Sequence, residues 1–384
     1  MSNTKREMSA DPHFPRHRRR RRWGAQAKTR HRLAFDTVAG LFAAVLVSAW
    51  AASIVTAYRD RGSPDAVLAA PVARTVSSSL TDPRAKSTAY LEDAAAGGYL
   101  GPLRGRSGKL QAVFRTPGED LGAEEADSHF VGIVDGSGRE VIEAVVAPDR
   151  PGIYKLAVEL DKARRPVSDM QLVTLVPFSE KKKERIGLYY LGSWPYESGG
   201  KPRSASYANP SGFIDVTKAN RDTNVSEHFR LGQFITKDQH DVWPKYLLLD
   251  EKLLDKLELA VTELEKDGVD VRHMHVMSGF RTPRYNKGGG NTGGRANLSR
   301  HMYGDGADVY VDNDRNGAPD DITGDGRVDT ADAEKFARAV EKVEAKHPAL
   351  VGGIGIYKAC CGHGPFTHVD TRGYRARWRG EGSG

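Results

Sequence analysis

His301 and Asp308 stand seven residues apart in Ser299-Arg300-His301-Met302-Tyr303-Gly304-Asp305-Gly306-Ala307-Asp308, and another histidine follows in Phe366-Thr367-His368-Val369-Asp370. Neutral imidazole and carboxylate are donors that hold zinc, and a His, Asp, His set leaves one coordination position to water, as in a catalytic zinc site. Such a site keeps a net charge of about +1, so the ion remains a good Lewis acid and lowers the pKa of bound water, which suits amide hydrolysis. Gly304 and Gly306 allow a tight turn between the first two ligands, and Ala307–Val311 beyond it reads as a strand. Arg281, in Ser278-Gly279-Phe280-Arg281-Thr282-Pro283, adds a guanidinium fork that matches a carboxylate or a developing oxyanion. Asp370 lies two residues beyond His368 and so shares its strand face, which makes it the candidate general base for the attacking water. The same spacing allows Asp370 to orient a ligand from behind, and His363 is the reserve candidate for the base.

Taken together and in this order, Ser-Gly-Phe-Arg281-Thr-Pro, Ser299-x-His301-x-x-Gly304-x-x-Ala307-Asp308 and His368-Val-Asp370 resemble the zinc D-Ala-D-Ala carboxypeptidase and murein endopeptidase family, in the periplasmic branch whose last motif reads His-Val-Asp. The resemblance covers about residues 225–380. It implies an α+β catalytic domain of the hedgehog and DD-peptidase type, zinc as cofactor, peptidoglycan as partner, and hydrolysis of amide bonds in stem peptides or cross-links. It also implies that Ser299 hydrogen-bonds substrate and that Arg281 holds it near the ion. The chain departs from other branches of the family, which carry a glutamate or histidine two or three residues before the last ligand. Here those places are Phe366 and Pro365, which take no proton. A second expectation follows from that departure, namely a wall-binding or scaffold protein that keeps the fold and the metal without turnover.

Other residues of ligand type have weaker patterns. Asp321, Thr323, Asp325, Asp329 and Asp332 place oxygens at positions 1, 3, 5, 9 and 12 of a loop with Gly326 at 6, the spacing of a calcium loop, with Asp in place of the final Glu. The alternative is an acidic surface loop that caps the helix beginning near Asp332. His273 and His275 share one face of an alternating run, and His228 opens the last domain as a packing or capping residue. Cys360 and Cys361 are adjacent, which is no disulfide framework; two buried thiols, a vicinal pair and metal-adjacent thiols all remain open.

Charge and texture divide the 384 residues. Residues 1–32 hold eleven Lys or Arg against Glu7 and Asp11, more than the whole chain's net +7. The basic excess is thus a local tail rather than a nucleic-acid surface, and no nucleic-acid partner is expected. Residues 33–58 contain an uncharged apolar run, Thr37–Ala57, long enough to span a bilayer as a single helix. Arginines before it place the N-terminus in the cytoplasm and the bulk in the periplasm or outside. A cleaved signal peptide is the competing reading, because Ala49-Trp50-Ala51 resembles a cleavage triplet. Residues 59–105 read as an Ala, Ser and Pro-rich linker. Across 106–182, short alternating runs separated by Pro-Gly and Asp-Gly turns predict a small all-β sandwich, closed by a solvated charge run at Lys181–Arg185. Residues 183–224 read as a connector, and 225–384 as the zinc peptidase domain, whose Asp250–Asp267 segment predicts an amphipathic helix with Leu253, Leu254, Leu257, Val261 and Leu264 on its core face.

Overall fold

The computed structural model describes residues 101–121, 130–134, 140–142, 146–160, 163–288, 296–360 and 362–380. The basic tail, the apolar run at 37–57 and most of the linker lie outside these residues. No helix among the described residues is long and apolar enough to cross a membrane. All described residues fall within one compact unit, Thr88–Gly384.

The alternating runs after residue 110 become β1 (Ala112–Arg115), β2 (Phe130–Val134), β3 (Glu140–Ile142), β4 (Gly152–Leu160) and β5 (Ala163–Thr174). They form one sheet in the order β1-β5-β4-β2-β3, with β1 parallel to β5 and the other pairs antiparallel. The expected sandwich needs two stacked sheets; among the described residues this segment supplies one. The apolar side of β1 and β5 is covered instead by the rest of the molecule, since Leu110, Ala112 and Val173 join a single core with Leu253, Leu254 and Leu257. Period-two alternation reports only that one strand face is buried, not what buries it.

Residues 176–216 are likewise built into the fold. They contribute β6 (Val176–Pro177), β7 (Arg185–Ile186), β8 (Tyr189–Tyr190) and β9 (Gly212–Val216), and they bury Trp194, Phe213 and Ile214 in the same core. Lys181 is buried rather than solvated: its ammonium meets Glu197 and lies over the rings of Phe178 and Trp194. Burial of a charge is tolerable only with such a partner.

After the short helix α1 (Leu231–Phe234) and β10 (Lys245–Leu247), which completes the sheet β10-β9-β6, comes α2 (Glu251–Lys266). Asp250 caps it by accepting from the Lys252 amide at 2.8 Å. Its leucines pack inward as their spacing predicts. Its acids also act: Glu251 accepts from the Phe114 amide and Arg115, and Asp255 from the amides of Arg106 and Ser107. These bonds fasten the first strand to the helix.

The last sheet contains β11 (Met274–Ser278), followed by α3 (Pro283–Gly288), β12 (Gly306–Val311), α4 (Thr330–Lys346), β13 (Gly353–Tyr357), β14 (Phe366–Asp370) and β15 (Ala376–Gly380). Its order is β11-β12-β14-β13-β15. Ala307, Val309 and Val369 face α2 and α4, where Phe336, Val340 and Val343 meet them. The result is mixed α and β structure with small sheets, and the helix-free face of this sheet carries the polar residues.

Candidate metal centre

Strand register assembles most of the site. Ser278 pairs with Asp308, Asp308 with His368, His368 with Gly355, and Gly355 with Trp378. Directly opposed residues share a sheet face, so this row crosses all five strands on the side away from the helices. A Cβ on Gly355 would meet the Trp378 indole at 2.4 Å; the bare glycine lets that ring lie 5.1 Å from the His368 ring.

His301 arrives from outside the sheet, on the 3-10 turn Arg300–Tyr303. Gly304 ends that turn at φ +72°, and a Cβ there would collide with the Leu248 backbone at 2.4 Å. No other residue type closes the turn so near its neighbour. Arg300 pins the turn by bonding Asp305 and donating to the Ser206 carbonyl at 2.8 Å, with its guanidinium between Tyr207 and Tyr303. Trp194 donates its indole N–H to the Met302 carbonyl at 2.9 Å.

Three atoms therefore converge. His301 Nε2 lies 3.2 Å from His368 Nδ1 and 3.3 Å from Asp308 Oδ1, and His368 Nδ1 lies 2.8 Å from Asp308 Oδ1. The far nitrogen of each ring is already engaged. His301 Nδ1 donates to the Gly279 carbonyl at 2.7 Å, and His368 Nε2 donates to Asp370 Oδ2 at 3.0 Å. With its far nitrogen engaged, each imidazole aims its other nitrogen at the centre, the attitude that metal-binding histidines use. Ligand atoms arranged tetrahedrally about zinc sit about 3.3 Å apart, close to two sides of this triangle. The donor set fits a divalent metal ion, and these residues could hold one.

The pKa shifts agree with that fit at His301 and Asp308, whereas His368 carries a proton at neutral pH that it would give up on binding a metal ion. Burial, helped by Arg281, lowers the His301 pKa to about 4, so the ring is neutral at neutral pH. Burial opposes the ionised Asp308, but His301, Arg281 and the imidazole bonds hold its carboxyl well below the usual range. Burial also disfavours imidazolium at His368, yet the bonds to Asp308 and Asp370 overcome it and raise its pKa to about 8.

The sequence-predicted ligands His301, Asp308 and His368 are therefore together, and Arg281 and Ser299 join them in lining a cavity of about 480 Å³. Arg281 is partly committed: Nη2 donates to Asp308 Oδ2 at 2.6 Å and Nε to Ser278 Oγ at 2.7 Å. Its Nη1 has no hydrogen-bond partner among the described residues, nor does the Ser299 hydroxyl. Asp370 differs from the expectation of a base. Its carboxylate is fully buried behind His368, where it accepts from the Gly353 amide at 2.8 Å and is gripped by Arg372. These bonds and the His368 contact hold its carboxyl well below the ordinary range, although burial works the other way. Asp370 does not line the cavity; His363 does, with Nδ1 donating to the Gly364 carbonyl at 2.8 Å and Nε2 left to accept.

The expected calcium loop is not gathered around an ion site. Asp329 caps α4 through the Ala331 amide, Asp332 accepts from the amides of Asp329, Ile322 and Thr323, Asp321 accepts from Thr323, Gly324 and Gly326, and Asp325 accepts from Arg327. Asp329 and Asp332 thus cap α4, and most of the other bonds within the run come from backbone amides. In this region it is Asp312, Asp314 and Asp320 whose carboxylates approach one another. His273 donates to the Asp312 carbonyl and His275 stacks on Tyr310 while bonding Asp312, so neither approaches the centre. His228 binds Glu258 elsewhere. Cys360 carries no free thiol, and Cys361 lies outside the described residues.

Sequence reading missed Lys237, Arg203 and Tyr357, which also line the cavity. Burial and Arg281 push the Lys237 ammonium down. Arg203 and Lys237 lie in no motif, and only folding brings them beside His301. No family model, no curated protein and no solved structure matches this chain.

Proposed function

We propose that this chain is a zinc metallopeptidase that hydrolyses amide bonds of peptidoglycan stem peptides or cross-links outside the cytoplasm, held to the membrane by its apolar segment at 37–57. The observation that carries this reading is the convergence of His301 Nε2, Asp308 Oδ1 and His368 Nδ1 at the floor of an open cavity. The resemblance of the three motifs to the zinc D-Ala-D-Ala carboxypeptidase and murein endopeptidase family supplies the substrate class.

A bound zinc ion supplies Lewis acidity toward a scissile carbonyl and lowers the pKa of a water molecule toward neutrality. His363 is the cavity residue with a free acceptor nitrogen, and it takes the proton of the attacking water and returns it to the leaving amine. Arg281 Nη1 and the Ser299 hydroxyl hold the peptide. Asp370 is a positioning residue that fixes the His368 tautomer and ring angle.

A second reading is favoured by one observation: apart from Asp308, no carboxylate among the described residues lines the cavity. A binding protein without turnover would need none. The full-length chain, incubated with purified sacculi, decides between them. Release of peptides that stops on adding chelator and in His301→Ala supports hydrolysis. Zinc-dependent pelleting with unaltered muropeptides supports binding alone, and undiminished turnover in His301→Ala would refute the metal reading.

A further inference from the structure

A second cleft, of about 310 Å³, opens beside His273 at the start of β11, whereas the metal-centre cavity is lined from that strand's other end. Four guanidinium groups line it, those of Arg221, Arg230, Arg272 and Arg315. Its two carboxylates are both engaged: Asp222 lies 3.7 Å from Arg221 and Glu227 lies 3.2 Å from Lys109. Arg272 pairs with Asp270 at 3.0 Å. Arg230 and Arg315 have no carboxylate partner among the described residues, so they bring uncompensated positive charge to one concave surface.

Arg315 is also held in an unusual backbone conformation. Its φ is +59°, the left-handed region that L side chains rarely adopt, two residues before Gly317, which takes the same region at φ +81°. The turn is fixed by Arg315 N–H donating to the Asp312 carbonyl and by the Asp312 carboxylate, which accepts from the amides of Asn316 and Gly317. The fold therefore places an arginine where its backbone is strained, on the wall of a basic cleft. His228 adds a ring whose Nδ1 is bound by Glu258 at 2.7 Å, leaving Nε2 unused.

The ligand atoms of Glu227, His228 and Glu258 are close enough to suggest a cation. Surrounding guanidinium groups make that unfavourable and favour an anion. A carboxylate satisfies one fork with two oxygens. A phosphoryl group offers more oxygens and up to two charges, enough to engage Arg230, Arg315 and His228 together.

We propose that this cleft binds a phosphoryl group, carried either by a small phosphorylated molecule or by a phosphodiester chain. The inference does not depend on hydrolysis at the metal centre. Full-length protein in detergent is titrated calorimetrically with inorganic phosphate, then with glycerol phosphate and with a poly(glycerol phosphate) chain. Phosphate is expected to bind, and more weakly as sodium chloride is raised. The double variant Arg230→Gln, Arg315→Gly should weaken it about tenfold or more; glycine accepts the φ of residue 315 and so preserves the turn. Glu227→Gln should tighten binding, because it removes negative charge from the cleft. Tighter binding of the chain than of the monoester identifies a polymer as the source, and the reverse identifies a small molecule. Absence of phosphate binding overturns the proposal. So does equal affinity in the double variant, and so does binding that survives there but is lost in His301→Ala, which would locate the anion at the metal centre.

Discussion

His301 Nε2 and His368 Nδ1 face one another across 3.2 Å, and a divalent ion between them would take the place of the proton that His368 carries at neutral pH. The bonds on their far sides, to the Gly279 carbonyl and to Asp370, hold both rings in that attitude. Asp370 therefore acts on the centre through His368, and His363 is one of the side chains that line the cavity. The two roles separate experimentally. His363→Gln is expected to lower kcat by about 10²–10⁴ without changing metal content. Asp370→Asn is expected to weaken metal binding by roughly 10–100-fold, measured by competition with a chromophoric chelator. Intact turnover in His363→Gln would remove it from the chemistry, and unchanged metal affinity in Asp370→Asn would remove the orienting role.

The elements meet these residues through register and through buried ties. Because β12 and β14 are antiparallel neighbours, Asp308 and His368 must lie side by side once the register is set. Lys256 of α2 fixes the end of β14 by donating to the Asp370 carbonyl and to Glu344 of α4, both at distances below 3 Å. Another tie to α2 should respond to pH. Burial disfavours a charged His228, but Glu258 holds its pKa above the ordinary value. A raised folded-state pKa stabilises fully below the unfolded value of about 6.5 and loses that contribution as pH rises through the folded one. Urea unfolding between about pH 6 and pH 9 should therefore show a larger loss of stability in the wild type than in Glu258→Gln. An identical slope in both proteins would show that the pair contributes nothing.

At the scale of the molecule, the region before residue 183 and the region after it share one core. Leu110, Ala112, Val173 and Val176 pack with residues of α2, and the Gln111 and Ala112 amides both donate to the Val225 carbonyl. Burying a Val or Leu side chain is worth about 1.5–3 kcal/mol. Uncovering the surface these residues protect would consume much of a total stability of about 5–15 kcal/mol. A fragment of residues 183–384 is thus expected to aggregate or to bind a hydrophobic dye, whereas 88–384 should resist limited proteolysis. A soluble, cooperatively unfolding 183–384 fragment would contradict the shared core.

What the sequence determined by itself was the three ligand-type side chains that converge, the amphipathic helix at 250–267 and the strands before and within the last sheet. Those depend on side-chain chemistry and on periods of 3.6 and 2, which are local properties. Tertiary structure decided what local patterns do not encode. It turned Asp370 behind His368, brought His363 into the cavity lining, drew Asp329 and Asp332 onto amide groups as a helix cap, and packed 106–182 into one core with the helices. Each of these outcomes depends on which distant surface fills the space beside a residue, and that is set only when the chain packs.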